Sequence, residues 1–151
     1  MDEQLFSKSA LDAAPAVFEH ACQVRFQDVD AAGVVFFPRI LELFHDGYVA
    51  FMDAQGEPLS KALADRTWAA PLTQSRAEFL RPLRFGDKLK ACLVRARFDG
   101  SDLWLGHKLV GEDGKLRAVG LTVHAFIDPS TFKRAPLPPQ MPRVFAPLLD
   151  K

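Results

Sequence analysis

Phe26 to Met52 reads FQDVDAAGVVFFPRILELFHDGYVAFM, and the prediction of the fold starts from this segment. Its first part holds two acidic residues, a small-residue turn with a glycine, a double aromatic and a proline. From residue 40 onward, apolar residues recur every 3.6 positions and charged residues fill the opposite face. The apolar face consists of Ile40, Leu41, Phe44, Tyr48, Phe51 and Met52. This pattern predicts one long helix, which Gly56 and Pro58 would end.

The segments on both sides of this helix have the character of β-strands. Residues 17–26, VFEHACQVRF, are rich in β-branched and aromatic residues and predict a first strand. Four strand patterns follow Trp68, and the turns FDGSD and EDGK, whose Asp-Gly pairs favour hairpins, separate the last three. We therefore predict one strand, one long helix and an antiparallel meander of four strands. Because so apolar a helix must be covered, we expect the sheet to curl around it in an α+β architecture.

The 151 residues fit a single domain, because a chain of this length buries roughly two thirds of its unfolded surface. We assign residues 1–15 to an N-terminal arm and residues 16–138 to the domain. Residues 139–151 form a proline-rich tail that we expect to lie over the surface.

Charge and hydropathy exclude several classes of function. Lys plus Arg and Asp plus Glu number 19 each, so no global field attracts nucleic acid or an anionic membrane. No apolar run approaches the ~20 residues that a membrane span needs. The N-terminus lacks the basic start and apolar core of a signal peptide, which makes the cytoplasm the expected location. We expect neither nucleic acid nor a membrane as a partner.

Asp30 is open to two interpretations from the local sequence. An Asp before a small-residue turn is often a turn or cap residue whose side chain bonds backbone N–H groups. Asp30 is also a carboxylate just before a helix start, where free N–H groups and the positive end of the helix dipole stabilise negative oxygen. Asp28 is interpreted as structural. Gly33 fits a backbone conformation that a side chain would obstruct, which also lets a substrate approach closely.

The order of elements and the segment from Val24 to Met52 resemble the hotdog-fold thioesterases. The resemblance is to the 4-hydroxybenzoyl-CoA thioesterase group, which includes the 1,4-dihydroxy-2-naphthoyl-CoA hydrolases, and it spans roughly residues 18–138. Its most specific part is DVDAAGVVFF at residues 28–37, and AEFLRPL at residues 77–83 is similar to the strand that follows the helix. The resemblance implies a hotdog fold, a curved antiparallel sheet wrapped around one long central helix.

The same resemblance implies an acyl-CoA thioesterase that hydrolyses an aromatic or other compact acyl-CoA thioester to free acid and CoA. In that family the second acidic residue of the turn is the catalytic carboxylate, which corresponds to Asp30. The backbone amide of Phe37 is the best match to the oxyanion donor, and Pro38 has no N–H to donate. Asp30 would attack the carbonyl as a nucleophile or deprotonate water as a general base, and the sequence leaves both routes open.

Further residues are candidates for contacts with the substrate. Aromatic side chains would form an acyl pocket, although Tyr48 also fits ordinary core packing, and a serine would line the pocket wall from a neighbouring strand. Arginines offer charge for the phosphates of CoA. The candidates are Gly33, Val35, Phe36, Tyr48, Trp68, Ser75, Arg81 and Arg97.

We expect no metal and no cofactor, with coenzyme A present only as part of the substrate. His45 beside Asp46 forms no recognised ligand spacing and is interpreted as a packing or hydrogen-bonding residue. The resemblance implies a homo-oligomer, in which a dimer joins two sheets and places the active sites at the interface, often doubled to a homotetramer. The alternative function is a non-catalytic hotdog module that binds CoA or carrier-protein thioesters.

Overall fold

Strands and helices follow one another largely as the sequence predicts. The computed structural model describes residues 3–150, so Met1 and Asp2 of the predicted arm and Lys151 of the predicted tail lie outside the described residues. The strands are β1 (Phe18–Gln23), β2 (Leu72–Phe79), β3 (Lys88–Asp99), β4 (Asp102–Gly111) and β5 (Leu116–Ala125). The helices are α1 (Lys8–Ala13), α2 (Phe37–Ala54), α3 (Leu59–Asp65) and α4 (Met141–Phe145).

The five strands form one antiparallel sheet in the order β1-β3-β4-β5-β2. The two Asp-Gly turns join β3 to β4 and β4 to β5, as predicted. The predicted meander of four strands is wrong in one pairing, because β2 pairs with β5 and not with β3. The connection between β2 and β3, residues 80–87, contains a proline and no Asp-Gly turn, so nothing in it forces a tight hairpin. Strands β1 and β2 are therefore the two edges of the sheet.

Helix α2 packs on the inner face of the sheet and supplies much of the core. It begins after the N-cap Phe36, and Pro38 sits in its first turn, where a missing N–H is tolerated. Its Phe44 ring lies directly over Gly120 of β5, and a Cβ atom at Gly120 would collide with that ring. A glycine is therefore required there for the helix to approach the sheet. The buried residues of α2 are Ile40, Leu43, Phe44, Gly47, Tyr48, Phe51 and Met52.

The N-terminal arm covers the outer face of the sheet. Phe6 and Leu11 are each 1% exposed, and they pack in one apolar cluster with Trp104 and other outward-facing strand residues. Cationic side chains from the sheet hold the arm by its carbonyl groups. Arg76 donates to Phe6 O at 2.5 Å, and Lys108 donates to Ala14 O at 2.6 Å. The arm is therefore packed on the sheet through both apolar and polar contacts.

The C-terminal tail closes one end of the core, whereas we expected it to lie over the surface. Met141, Val144 and Phe145 of α4 are buried, and the Phe145 ring centroid lies 5.3 Å from that of Phe51. The apolar residues follow helical spacing, and Pro142 falls in the first turn of α4, where proline does not interrupt a helix. The prolines therefore set the start of this short helix instead of preventing it.

Candidate active site

The acidic turn holds two aspartates in opposite surroundings, and Asp28 is the buried one. Its carboxylate is 2% exposed and accepts hydrogen bonds from the backbone N–H of Arg25 at 2.8 Å and from Arg25 Nε and Nη2 at 3.2 and 3.1 Å. Burial on its own would raise the pKa of Asp28, but the hydrogen bonds and charge of Arg25 outweigh burial and lower that pKa below its ordinary value. Asp28 thus stabilises the turn as a structural residue.

Asp30 lies at the surface, at the first position of the next turn. Its backbone N–H donates to Val34 O at 2.9 Å, and its carbonyl accepts from the Gly33 N–H at 3.0 Å. The side-chain Oδ1 accepts from the Ala32 N–H at 2.8 Å, while Oδ2 has no hydrogen-bond partner among residues 3–150. Gly33 has φ of +80°, which favours glycine. One carboxylate oxygen of Asp30 therefore holds the turn, and the other is free.

The start of α2 presents an unpaired amide. After the turn the chain folds back, so that the Phe36 N–H donates to Asp28 O at 2.8 Å and the Arg39 N–H donates to Phe36 O at 2.8 Å. Between these two bonds, the Phe37 N–H has no acceptor in the described part of the chain, and Pro38 has no N–H. The aligned peptide dipoles of α2 leave partial positive charge at this end. An oxyanion placed here would meet a free donor in a favourable field.

A groove, which we call the seam, runs between α2 and the edge strand β2. Near the helix start it widens into a cavity of about 290 Å³ lined in part by Val35, Phe37 and Arg81. Toward the other end of α2 it forms an apolar groove of about 380 Å³ lined in part by Tyr48 and Trp68. A small, enclosed cavity of about 50 Å³ lies between α2, β2 and the inner face of the sheet. The seam therefore offers room for an acyl group along the helix.

Most of the predicted substrate contacts lie along this seam. Phe36, at the helix start, is 46% exposed, and its ring centroid lies 5.1 Å from that of Phe37. Gly33 stands at the tip of the acidic turn. Arg97 is not brought to the others, because it lies on β3 opposite Trp104 and lines none of the seam cavities. The predicted residues that line the cavities are Val35, Tyr48, Trp68, Ser75 and Arg81.

The small cavity is lined by two buried histidines that sequence reasoning did not assign to the site. His107 Nε2 lies 2.8 Å from Thr122 Oγ1, which lies 3.1 Å from His124 Nε2, and His124 Nδ1 lies 3.2 Å from Ala70 O. Burial lowers the pKa of His107 to about 3 and that of His124 to about 4. The sequence did contain a signal for these buried polar groups, because Thr122 and His124 alternate with the same period as the small and apolar residues on one buried face of β5.

A metal site and a membrane-spanning helix each place a requirement on the described residues. Between residues 3 and 150, no three or more His, Cys, Asp or Glu side chains are placed to hold a metal ion. None of the helices in the same range is both long and apolar enough to cross a bilayer.

The sequence matches the thioesterase-like superfamily over residues 24–145. A curated relative, the 1,4-dihydroxy-2-naphthoyl-CoA hydrolase of Thermosynechococcus vestitus, is 32% identical over 119 residues, which cover 79% of this chain and 82% of the relative. The protein of the same name from Rippkaea orientalis is also 32% identical, with 76% of this chain and 84% of the relative covered.

Solved structures show the same relationship. A 1,4-dihydroxy-2-naphthoyl-CoA thioesterase from Synechocystis superposes with a TM-score of 0.80 at 26% identity, over 85% of this chain and 95% of that one. A gentisyl-coenzyme A thioesterase superposes with a TM-score of 0.74 at 25% identity, over 84% of this chain and 98% of that one. These matches confirm the predicted architecture. The chain therefore belongs to the thioesterase-like superfamily, as a thioester hydrolase of hotdog fold.

Proposed function

We propose that this chain hydrolyses aromatic acyl-CoA thioesters to free acid and coenzyme A, with Asp30 as the catalytic carboxylate and the Phe37 N–H as the oxyanion donor. The observation that carries the proposal is the combination of a free Asp30 oxygen and an unpaired Phe37 N–H on one short loop. The names of the relatives support the acyl class, because 1,4-dihydroxy-2-naphthoyl and gentisyl groups are both aromatic.

In this proposal, negative charge develops at the start of α2. The thioester carbonyl oxygen would accept from the Phe37 N–H, and its charge would grow there as the carbonyl carbon becomes tetrahedral. In one route an Asp30 oxygen attacks this carbon, the C–S bond breaks, CoA leaves as the thiolate, and water then hydrolyses the mixed anhydride. In the other route Asp30 takes a proton from an attacking water molecule and the C–S bond breaks in the same way.

The seam would hold the substrate on both sides of the carbonyl. The acyl group would lie against the apolar lining between α2 and β2, and the exposed Arg81 near the helix start would face the phosphates of CoA. No metal or separate cofactor takes part in this proposal, since the carboxylate and the helix start supply the required chemistry.

A second copy of the chain would complete the site. Strand β2 is a sheet edge with exposed backbone, and Leu72 and Phe79 on it are 51% and 55% exposed. Pairing of β2 with its copy would satisfy the edge and bury these side chains. The seam would then lie at the interface of a homodimer, alone or doubled to a homotetramer, in the cytoplasm. Light scattering of the purified protein measures this assembly directly.

The first experiment measures thiol release from a panel of aryl- and alkyl-CoA thioesters by the wild type and by Asp30→Asn. Asparagine keeps an oxygen that accepts from the Ala32 N–H, so the turn is retained and only the charge is lost. We expect a loss of roughly a hundredfold or more in kcat/KM. Asp53→Asn, which changes an exposed aspartate at the far end of α2, is the matched control and should leave the rate unchanged. Equal activity of Asp30→Asn and the wild type would show that Asp30 only stabilises the turn and takes no part in catalysis.

Single-turnover hydrolysis in water enriched in oxygen-18 separates the two routes. With excess enzyme, a nucleophilic Asp30 whose anhydride is hydrolysed at the Asp30 carbonyl gives its own oxygen to the first product. The label then enters the Asp30 carboxylate and not the acid, and this outcome identifies the nucleophilic route. A general base instead directs labelled water onto the carbonyl, and the acid carries the label after the first turnover. Mass spectrometry of the product acid and of the peptide that contains Asp30 measures both fates.

The oxyanion donor is tested by removing one N–H. Phe36 has φ of −63° and ψ of 127°, a conformation that accepts a following proline, so Phe37→Pro should preserve the helix start. We expect Phe37→Pro to lower kcat by roughly 100-fold to 1000-fold. Phe37→Ala removes the same ring and keeps the N–H, so it should lose far less. Equal losses in the two variants would assign the effect to the ring.

The alternative function, a non-catalytic module, makes a different prediction for the same panel. It predicts saturable binding of CoA or carrier-protein thioesters by the wild type without release of thiol from any of them. Turnover of one aryl-CoA thioester that depends on Asp30 would exclude it.

A further inference from the structure

The small cavity contains several polar groups that the proposed hydrolysis does not use. Its volume of about 50 Å³ holds roughly three or four water-sized groups. It is more enclosed than the rest of the seam, and its lining combines Tyr48 of α2 and Ser75 of β2 with the buried polar groups of β4 and β5. The apolar groove of about 380 Å³ shares Tyr48 and His124 with it. A ring held in the groove would thus have its edge at the cavity.

The hydrogen bonds within the lining have one consistent direction. Ala70 O can only accept, so His124 Nδ1 donates to it, and the Nε2 atom of a neutral His124 must then accept. Thr122 Oγ1 therefore donates to His124 Nε2 and accepts from the Nε2–H of His107. Every one of these bonds is made within the protein, and both imidazoles are neutral because burial opposes their charging. The polar groups that β4 and β5 contribute to the cavity wall are therefore uncharged.

Tyr48 is the most buried of the lining residues whose polar side-chain atoms make no hydrogen bond within residues 3–150. The residue is 3% exposed, and its ring centroid lies 4.9 Å from that of His124 and 5.6 Å from that of His45. Its hydroxyl forms no hydrogen bond with any residue from 3 to 150. Burial raises the pKa of Tyr48, so the hydroxyl stays protonated. This hydroxyl therefore keeps its hydrogen-bonding capacity available for a ligand in the cavity.

We propose that this cavity binds an uncharged hydroxyl group on the acyl ring of the substrate and that the Tyr48 hydroxyl contacts it. His124 and Thr122 act as positioning residues, because they hold the wall against which the Tyr48 ring rests. A carboxylate at the same ring position is disfavoured, since the polar groups of β4 and β5 offer it no positive charge to pair with. The inference rests on the proposed function for the identity of the ligand as an acyl-CoA.

The test measures binding, so that it does not depend on turnover. The probes are non-hydrolysable CoA thioethers, in which a methylene group lies between the aryl ketone carbonyl and the sulfur atom. Their rings are unsubstituted, hydroxylated at position 2, 3 or 4, or carboxylated at one of those positions. Isothermal titration calorimetry gives their affinities for the wild type, Tyr48→Phe and Thr122→Val. Thr73→Val is the matched control, because Thr73 lies on β2 outside the cavity and bonds Val123 O.

We expect the best hydroxylated probe to bind the wild type about tenfold more tightly than the unsubstituted probe, and the carboxylated probes to bind more weakly than both. Tyr48→Phe should bring this tenfold preference close to one without weakening the unsubstituted probe. Thr122→Val should reduce the preference, and Thr73→Val should retain it. Circular dichroism confirms that each variant is folded.

Equal affinity of the wild type for hydroxylated and unsubstituted probes would overturn the inference, as would an undiminished preference in Tyr48→Phe or no binding of any probe. The thiol-release assay reports separately on the proposed function. Turnover without a preference for hydroxylated probes would support the proposed hydrolase and contradict the proposed role of the cavity. A preference for hydroxylated probes that depends on Tyr48, without turnover, would support the hydroxyl site and contradict the proposed catalysis.

Discussion

At the start of α2, polar groups lie at the surface with hydrogen-bonding capacity to spare: Asp30 has a free oxygen and Phe37 a free N–H. Two to three helical turns further on, beneath the same helix, His107, Thr122 and His124 are buried and bonded to one another. The first group is available for chemistry because solvent and turn bonds stabilise it without a ligand. The second can stay buried only because its members satisfy each other. Function at the first region should therefore be separable from stability, whereas at the second the two are linked.

The largest expected effect is a loss of stability in acid through the buried histidines. Their pKa values fall from 6.5 in an unfolded chain to about 3 for His107 and about 4 for His124. As the pH falls below 6.5, the unfolded chain takes up protons that the folded chain does not, so the free energy of unfolding falls. At pH 4.5 each histidine would remove roughly 2–3 kcal/mol relative to pH 7.5.

Urea unfolding at pH 4.5 and 7.5 measures this loss, and His107→Gln identifies its source. The variant is less stable at both values of pH, but its difference between them should be smaller than that of the wild type by roughly 2 kcal/mol. An unchanged difference would mean that other groups carry the acid sensitivity. Asp28, whose pKa is lowered, loses its stabilisation only as the pH falls below the ordinary value of 3.8, so it contributes little to the difference between pH 7.5 and 4.5.

A smaller effect separates the two aspartates of the acidic turn. Asp28→Asn leaves a buried side chain unable to accept all the bonds that Arg25 donates, so we expect a loss of about 1–3 kcal/mol in the free energy of unfolding. Asp30→Asn should change the free energy of unfolding by less than about 0.5 kcal/mol, because Asp30 is exposed and asparagine keeps its turn bond. Paired denaturation curves and thiol-release rates show whether activity and stability separate. A stability loss in Asp30→Asn as large as that in Asp28→Asn would remove the distinction.

The smallest effect concerns the backbone of the acidic turn within the first region. A Cβ atom at Gly33 meets no atom within 4 Å, so Gly33→Ala is opposed only by the φ of +80°. We expect it to lower the free energy of unfolding by about 1 kcal/mol. Gly33→Asn should lower it by less, since asparagine tolerates the left-handed region better than alanine. A greater loss for Gly33→Asn would show that side-chain contacts, and not φ, control this position.

Helix α2 and the two hairpins were predictable because their signals are local. The 3.6-residue period from Ile40 to Met52 and the Asp-Gly turns depend on residues that are close in the sequence. The pairing of β2 with β5 depends on which strands meet across the sheet, and alternation within β2 carries no information about that partner. The short helix α4 was also missed, because its prolines were given more weight than the apolar spacing of Met141, Val144 and Phe145.

The two regions of the site differ in the same way. Asp30 and Phe37 were proposed as candidates because they lie within one segment whose order resembles a family motif. The chain of bonds from His107 to Ala70 joins residues of β4, β5 and the segment before β2, which are distant in sequence. A histidine in a strand pattern is equally compatible with a solvent-facing position, and only the position of α2 over the sheet shows that His107 and His124 face inward.

The N-terminal arm has a practical consequence for the design of variants. The superfamily match begins at residue 24, just after β1, so a shortened chain that starts at β1 would still contain the whole matched region. Such a chain would lose Phe6 and Leu11 and leave Trp104 and its apolar neighbours on the outer sheet face in water. Exposed patches of this kind promote self-association that has no relation to the native assembly. Light-scattering measurements of the oligomer, and affinity tags added at the N-terminus, should therefore leave residues 3–14 intact.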